Sequence, residues 1–380
     1  MDGVTNLLRS LALTAGEIAS ASRLPVERVR AIMEGAPASL SELRALSQGL
    51  RVPLRAFAAG QLTTGKQNEL GLLFRSAAVG GRLDQRTTIE FVAGFVEAAL
   101  QVLPARTRPP EWLQGLEPAA QTYVEAHRLA ARFRTLFFPQ RLEDSVLDLP
   151  QVLSSDAGII LGTLRMSRYE GASIVIGGYC FIFVSPRFLA RMLFTVAHEL
   201  GHILAHHQQG KGAVFDGAKR IGAWRQRTRE EQFADGFASA MLMPERGVAL
   251  ALKAIREALN VTSAHIGDIQ ILYLARFFGV SFDVAARRCE QLELLPEGGA
   301  FSLSDALRKD YGNPEKRAEQ LGLPPRPQIT IPRISDNLLQ PLVRKIAADE
   351  VSIGWAAERF GLSIDEIYEA NVRLARERHH

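Results

Sequence analysis

The sequence predicts an α+β protein, and three observations carry that reading. The string His198-Glu199-Leu200-Gly201-His202 lies inside an apolar helical run that extends from Leu193 to Leu204. Just upstream, β-rich runs are punctuated by a double glycine, Gly177-Gly178. Both ends of the 380-residue chain carry helical patterns.

At the amino terminus, Leu13 to Gly35 reads as two short helices about a tight turn, and Ser39 to Ser47 as a third helix. Ser39 and Glu42 have the spacing of a capping box, in which each side chain satisfies the other's backbone N–H. This pattern resembles the XRE-type helix-turn-helix domain, whose reading helix would run here from about Val26 to Glu34. The resemblance implies DNA contacts from Arg28 and Arg30. Residues 1–60 hold seven arginines against five acids, and the reading helix itself carries Glu27 and Glu34, a thin positive balance for nucleic acid. A helical protein-interaction or dimerisation module is the competing reading.

Residues 61–124 are expected to form a helical connector broken at Pro104 and Pro109-Pro110. Trp112, beside Leu113 and Leu116, is expected to pack rather than to recognise a ligand. Asp156 to Leu164, Ala172 to Ile176 and Tyr179 to Val184 read as strands. Two glycines between the last two favour a tight hairpin, so a small antiparallel sheet is expected against the helix that bears the histidines. An edge strand could hold a peptide in extended form. The sequence leaves open which strand is the edge.

On a helix, positions i and i+4 share a face, so His198 and His202 can offer imidazole nitrogens to one cation while Glu199 stands beside them as a base. Thr228 to Pro244 reads as a second helix closed by proline. Glu231 and Asp235 lie one turn apart on it, with small Ala234 and Ala238 alongside to permit close approach. Glu231 is therefore assigned as third metal ligand and Asp235 as acceptor from a ligating imidazole. Glu230 is the neighbouring alternative, pointing about 100° away. Tyr179, His206, His207 and Arg220 are oxyanion donors by residue type only, and His206 and His207 are expected at the surface at the helix end.

Phe194 to His202, Glu231 to Asp235, Phe237-Ala238 and Leu242-Met243-Pro244 together resemble the ImmA/IrrE family of metallopeptidases, over roughly residues 125–295. The resemblance implies a zincin-like core with helical extension, a zinc-dependent endopeptidase activity, and a protein substrate, often a repressor. It places the ligands on His198, His202 and Glu231 and the base on Glu199. Asp235 departs from the asparagine of many members, and either residue can accept from an imidazole. Manganese or iron would accept the same donors as zinc.

Residues 296–332 are expected as a Pro-rich linker and 333–380 as a C-terminal helical module. Leu274 to Asp283 is echoed by Ala356 to Asp365, both reading as helix corners whose expected role is packing. Composition, with 47% hydrophobic and 23% charged residues and a net charge of +4, fits a multi-domain cytoplasmic protein. Cys180 and Cys289 lack metal spacing and are expected as reduced core residues. No apolar run spans a membrane and no secretory signal opens the chain. The predicted whole is a DNA-binding regulator fused to a zinc endopeptidase that acts on a repressor or antitoxin-like protein in a stress or mobile-element response, with homodimerisation admitted. The alternative is a non-proteolytic regulator or antitoxin-like component whose peptidase-like domain senses a ligand, metal or partner.

Overall fold

Thr228, in extended backbone conformation, starts the helix that carries Glu231 by accepting a hydrogen bond from the Glu231 N–H, and Pro244 follows that helix. A computed structural model describes residues 3–10, 14–50, 57, 83–164, 169–206, 213–217, 228–263 and 265–377. The chain forms two compact units, residues 107–340 and residues 1–106 with 341–380. These divisions fall at 106/107 and 340/341, where the sequence pattern placed boundaries at 124/125 and 332/333.

In the first unit, helices α1 (Gly3–Ser10), α2 (Ala15–Ser22), α3 (Val26–Glu34) and α4 (Leu40–Leu50) enclose a core of Leu7, Leu8, Ile18, Val29, Ile32 and Leu46. The Ser39–Glu42 capping box forms as expected, each partner bonding the other's backbone N–H. Further along, α5 (Leu83–Val102) packs against α17 (Ile353–Phe360) of the C-terminal segment, with Phe95 edge-on to Phe360 at 5.0 Å.

The second unit begins with α6 (Glu111–Gly115), α7 (Tyr123–Phe137) and α8 (Leu149–Ser155). Trp112 packs as expected, edge-on to Phe133 and Phe137, and its indole N–H donates to the Ala157 carbonyl. Strands β1 (Ile160–Thr163), β2 (Tyr169–Ile176), β3 (Tyr179–Val184) and β4 (Ala213–Gly217) form one sheet in the order β1-β3-β2-β4. Gly177 and Gly178, both at positive φ, close the β2–β3 hairpin.

The expected all-antiparallel sheet is corrected here: β1 runs parallel to β3, and the sheet is mixed. The reason lies in β3, whose residues Tyr179-Cys180-Phe181-Ile182-Phe183-Val184 are all buried. A continuous apolar run belongs in the sheet interior, so β3 sits between β1 and its own hairpin partner. The fourth strand was not expected from sequence.

Helix α9 (Leu189–His206) lies with β2 and β3 on one side and α10 (Arg229–Leu242) on the other, and α7 packs on α10. Then follow α11 (Glu245–Ala258), α12 (Asp268–Phe277) and α13 (Phe282–Gln291). Residues 296–332, expected as linker, instead contain α14 (Gly299–Tyr311) and α15 (Pro314–Gln320), which bury Ala300, Leu307 and Ala318. Asn313 caps α15 by accepting from the Lys316 N–H. The chain ends with α16 (Asp336–Ala347), α17 and α18 (Ile364–Glu377). Cys180 and Cys289 are both free and buried, as expected. Among the described residues, no single helix is long and apolar enough to cross a membrane.

Two buried arginines pin the end of α10. Arg134 donates to the carbonyls of Met241, Leu142, Arg141 and Asp144, and Arg288 donates from Nε to the Met243 carbonyl. A planar guanidinium satisfies several carbonyls at once where an ammonium cannot. Replacing Arg134 by Met should therefore destabilise the chain by about 3–5 kcal/mol in urea unfolding, and Arg134→Lys should recover only part of it.

Candidate metal centre

Gly201 of α9 faces Ala234 of α10 so closely that a Cβ on residue 201 would stand 2.8 Å from the Ala234 Cα. This approach brings one turn of each helix into register. His198 Nε2 lies 3.0 Å from His202 Nε2, and the Glu231 carboxylate stands 3.7 Å from the first and 3.8 Å from the second. One ligand atom from each of the three residues falls within 4.8 Å of the others. Tetrahedral ligands at ordinary zinc–nitrogen distances are separated by roughly 3.3 Å, so the triangle has the scale of a divalent-cation site. Glu231, not the alternative Glu230, completes it.

Asp235 Oδ1 lies 3.0 Å from His198 Nδ1. This contact places a carboxylate on the Nδ1 side of the His198 ring, while Nε2 is the nitrogen nearest His202 and Glu231. Glu199 is fully buried, with Gly171 of β2 against it: a Cβ on residue 171 would meet Glu199 Oε1 at 2.3 Å and the Thr195 methyl at 2.7 Å. Glu199 thus has a seat that glycine alone provides.

The donor chemistry fits a cation. Three carboxylates, those of Glu199, Glu231 and Asp235, are buried beside two buried imidazoles. At 3.0 Å the two Nε2 atoms cannot both carry protons, so imidazolium charge alone cannot balance the cluster. Burying such negative charge is costly unless a cation neutralises it.

The remaining sequence-predicted residues fall elsewhere. Tyr179 is buried in β3 at the hairpin end. His206 ends α9, but its side chain, His207 and Arg220 lie outside the described residues. Arg28 bonds the Glu42 carboxylate from both Nε and Nη2 and also donates to the Pro37 carbonyl, while Arg30 pairs with Glu27. Hydrogen bonds from Arg28 and from Ser39 hold the Glu42 pKa at about 2. Sequence reasoning missed Gly171, although a glycine inside a β-rich run is a recognised sign of close approach to that strand.

These features describe a metallopeptidase-like domain with a candidate metal site. Residues 166–290 match the family model Peptidase_M78, described as the IrrE N-terminal-like domain. No curated protein matches the chain.

Gly201→Ala should force α9 and α10 apart. The expected result is a loss of about 1–3 kcal/mol in thermal or urea unfolding together with weaker zinc binding in a chelator competition.

Proposed function

We propose that this chain is a divalent-metal-dependent endopeptidase, zinc being the first candidate, that cuts a repressor or antitoxin-like protein. The carrying observation is the His198–His202–Glu231 triangle with Glu199 next in sequence and buried against β2. When bound, the cation supplies a Lewis acid that polarises a peptide carbonyl and acidifies water. Glu199 takes the proton of the attacking water on its carboxylate and returns it to the nitrogen of the leaving amine. Asp235 holds the His198 ring in place through Nδ1.

The sheet suggests where an extended substrate lies. The outer side of β1 is occupied by the chain's own residues 333–335, through bonds between Thr163 N–H and the Arg333 carbonyl and between Ser335 N–H and the Leu161 carbonyl. Among the described residues the opposite edge is β4, which pairs with β2 at Gly171, the residue that seats Glu199. We propose β4 as the edge at which an extended substrate strand adds.

For the N-terminal helices, the DNA-reading role implied for α3 competes with a protein-contact module. Engagement of the Arg28 fork by Glu42 and Pro37 favours the second reading.

The zinc-loaded chain should cleave a repressor or antitoxin-like protein offered as substrate. Glu199→Gln should retain zinc and lose cleavage by roughly a hundredfold or more. Removal of metal by chelation should abolish cleavage, and added zinc should restore it. Metal retained with no cleavage by either form overturns the peptidase reading. In a gel shift on operator DNA, Arg30→Ala should weaken binding and lower the salt slope by about one if α3 contacts phosphate. Unchanged binding removes Arg30 from that role.

A further inference from the structure

Glu170, adjacent to the glycine that seats Glu199, is an acid with 2% of its side chain exposed. It sits at a register shift in the β2–β4 pairing, where Tyr169 opposes Gly217 and Gly171 opposes Asp216. An extra residue on one strand re-aims side chains, and such bulges gather beside active sites. Here the bulge accompanies a carboxylate that meets two arginines. Arg191 Nε lies 2.7 Å from Glu170 Oε2, and Arg187 Nε lies 3.6 Å from Oε1.

Arg191 remains 44% exposed and Arg187 35%. Arg191 is thus held in an ion pair at Nε while its side chain still reaches solvent. A cation in the first turn of a helix also works against the helix dipole, so this position is a poor choice for helix stability alone. Beside the arginines, Phe188 and Leu189 are exposed, and the Arg326 guanidinium lies 4.9 Å over the Phe188 ring.

Arg191, Thr195 and Glu199 follow at i, i+4 and i+8, one face of α9 leading to the base. Eight residues of helix span about 12 Å, the length of roughly three to four residues of extended peptide. We infer that Arg191, held by Glu170, is a specificity-determining residue that binds an acidic side chain of the protein substrate a few residues from the cleaved bond, on the side toward the start of α9. The exposed Phe188 and Leu189 receive apolar residues next to that acid. A planar fork suits a carboxylate, and Glu170 aims it. This inference rests on the peptidase reading above.

The test maps the cleavage sites of the full-length, zinc-loaded chain in a peptide library by mass spectrometry. Wild type should enrich Asp and Glu a few residues to one side of the cut. Arg191→Gln should lose that enrichment by roughly ten- to hundredfold while cleavage of neutral sequences continues, and Arg191→Lys should retain part of it. The double variant Glu170→Gln/Arg191→Gln keeps the buried pair neutral and should behave like Arg191→Gln, which separates recognition from folding. Equal enrichment in wild type and Arg191→Gln, or none in wild type, overturns the inference. If the zinc-loaded chain cuts nothing, the peptidase reading fails separately. Arg191 is then judged by fluorescence anisotropy of Asp- and Asn-containing peptides on the Glu199→Gln chain, where equal binding of the two overturns it.

Discussion

The backbone contact between Gly201 and Ala234 is the constraint on which the candidate metal centre depends. Each helix carries half of the donor set, and neither half is useful unless the two backbones come within the reach of short side chains. Glycine on one side and alanine on the other allow this, where a larger residue would hold the helices apart. The sheet then presses on the opposite face of α9 through Gly171, and α7 presses on α10 near Gly236, where a Cβ would meet the Tyr123 ring at 2.9 Å. Small residues recur at the contacts between layers, and the large apolar residues Phe133, Phe233 and Phe237 fill the space between them.

Charge is handled in two ways inside this unit. Arg134 is buried among carbonyl oxygens and Arg288 between the Met243 carbonyl, Tyr123 and His127, and each extends the hydrogen bonding at the end of α10 where that helix's own N–H donors run out. The acids of the metal centre are arranged differently. Three carboxylates and two imidazoles crowd one small buried volume, and the protons available to the imidazoles do not balance them. A divalent cation would offset that charge, so this donor set is a candidate metal site.

Several parts of the chain were legible before the fold was known because local rules govern them. The i, i+4 spacing of His198 and His202, the Ser39–Glu42 box and the Gly177-Gly178 turn each depend on residues close in sequence. The mixed sheet was not legible, because the place of β1 beside β3 depends on which strand is buried most completely, and that is settled by the whole layer. Residues 296–332 misled for a related reason. Their prolines suggested linker, yet the apolar positions Ala300, Leu307 and Ala318 had a core to enter, and two helices formed.

By itself, the sequence determined the donor set: two imidazoles and a carboxylate on one helix, an acid pair one turn apart on another, and small residues that let the helices meet. Those are properties of residue type and helical period. Only the tertiary structure decided that Glu231 rather than Glu230 joins the histidines, that Asp235 meets Nδ1 of His198 rather than the ring of His202, and that Glu199 rests on Gly171. It also turned Arg28 onto Glu42 and Arg191 onto Glu170. Such pairings depend on the separation and rotation of whole elements, which burial of the core sets at long range, and no spacing along the chain records them.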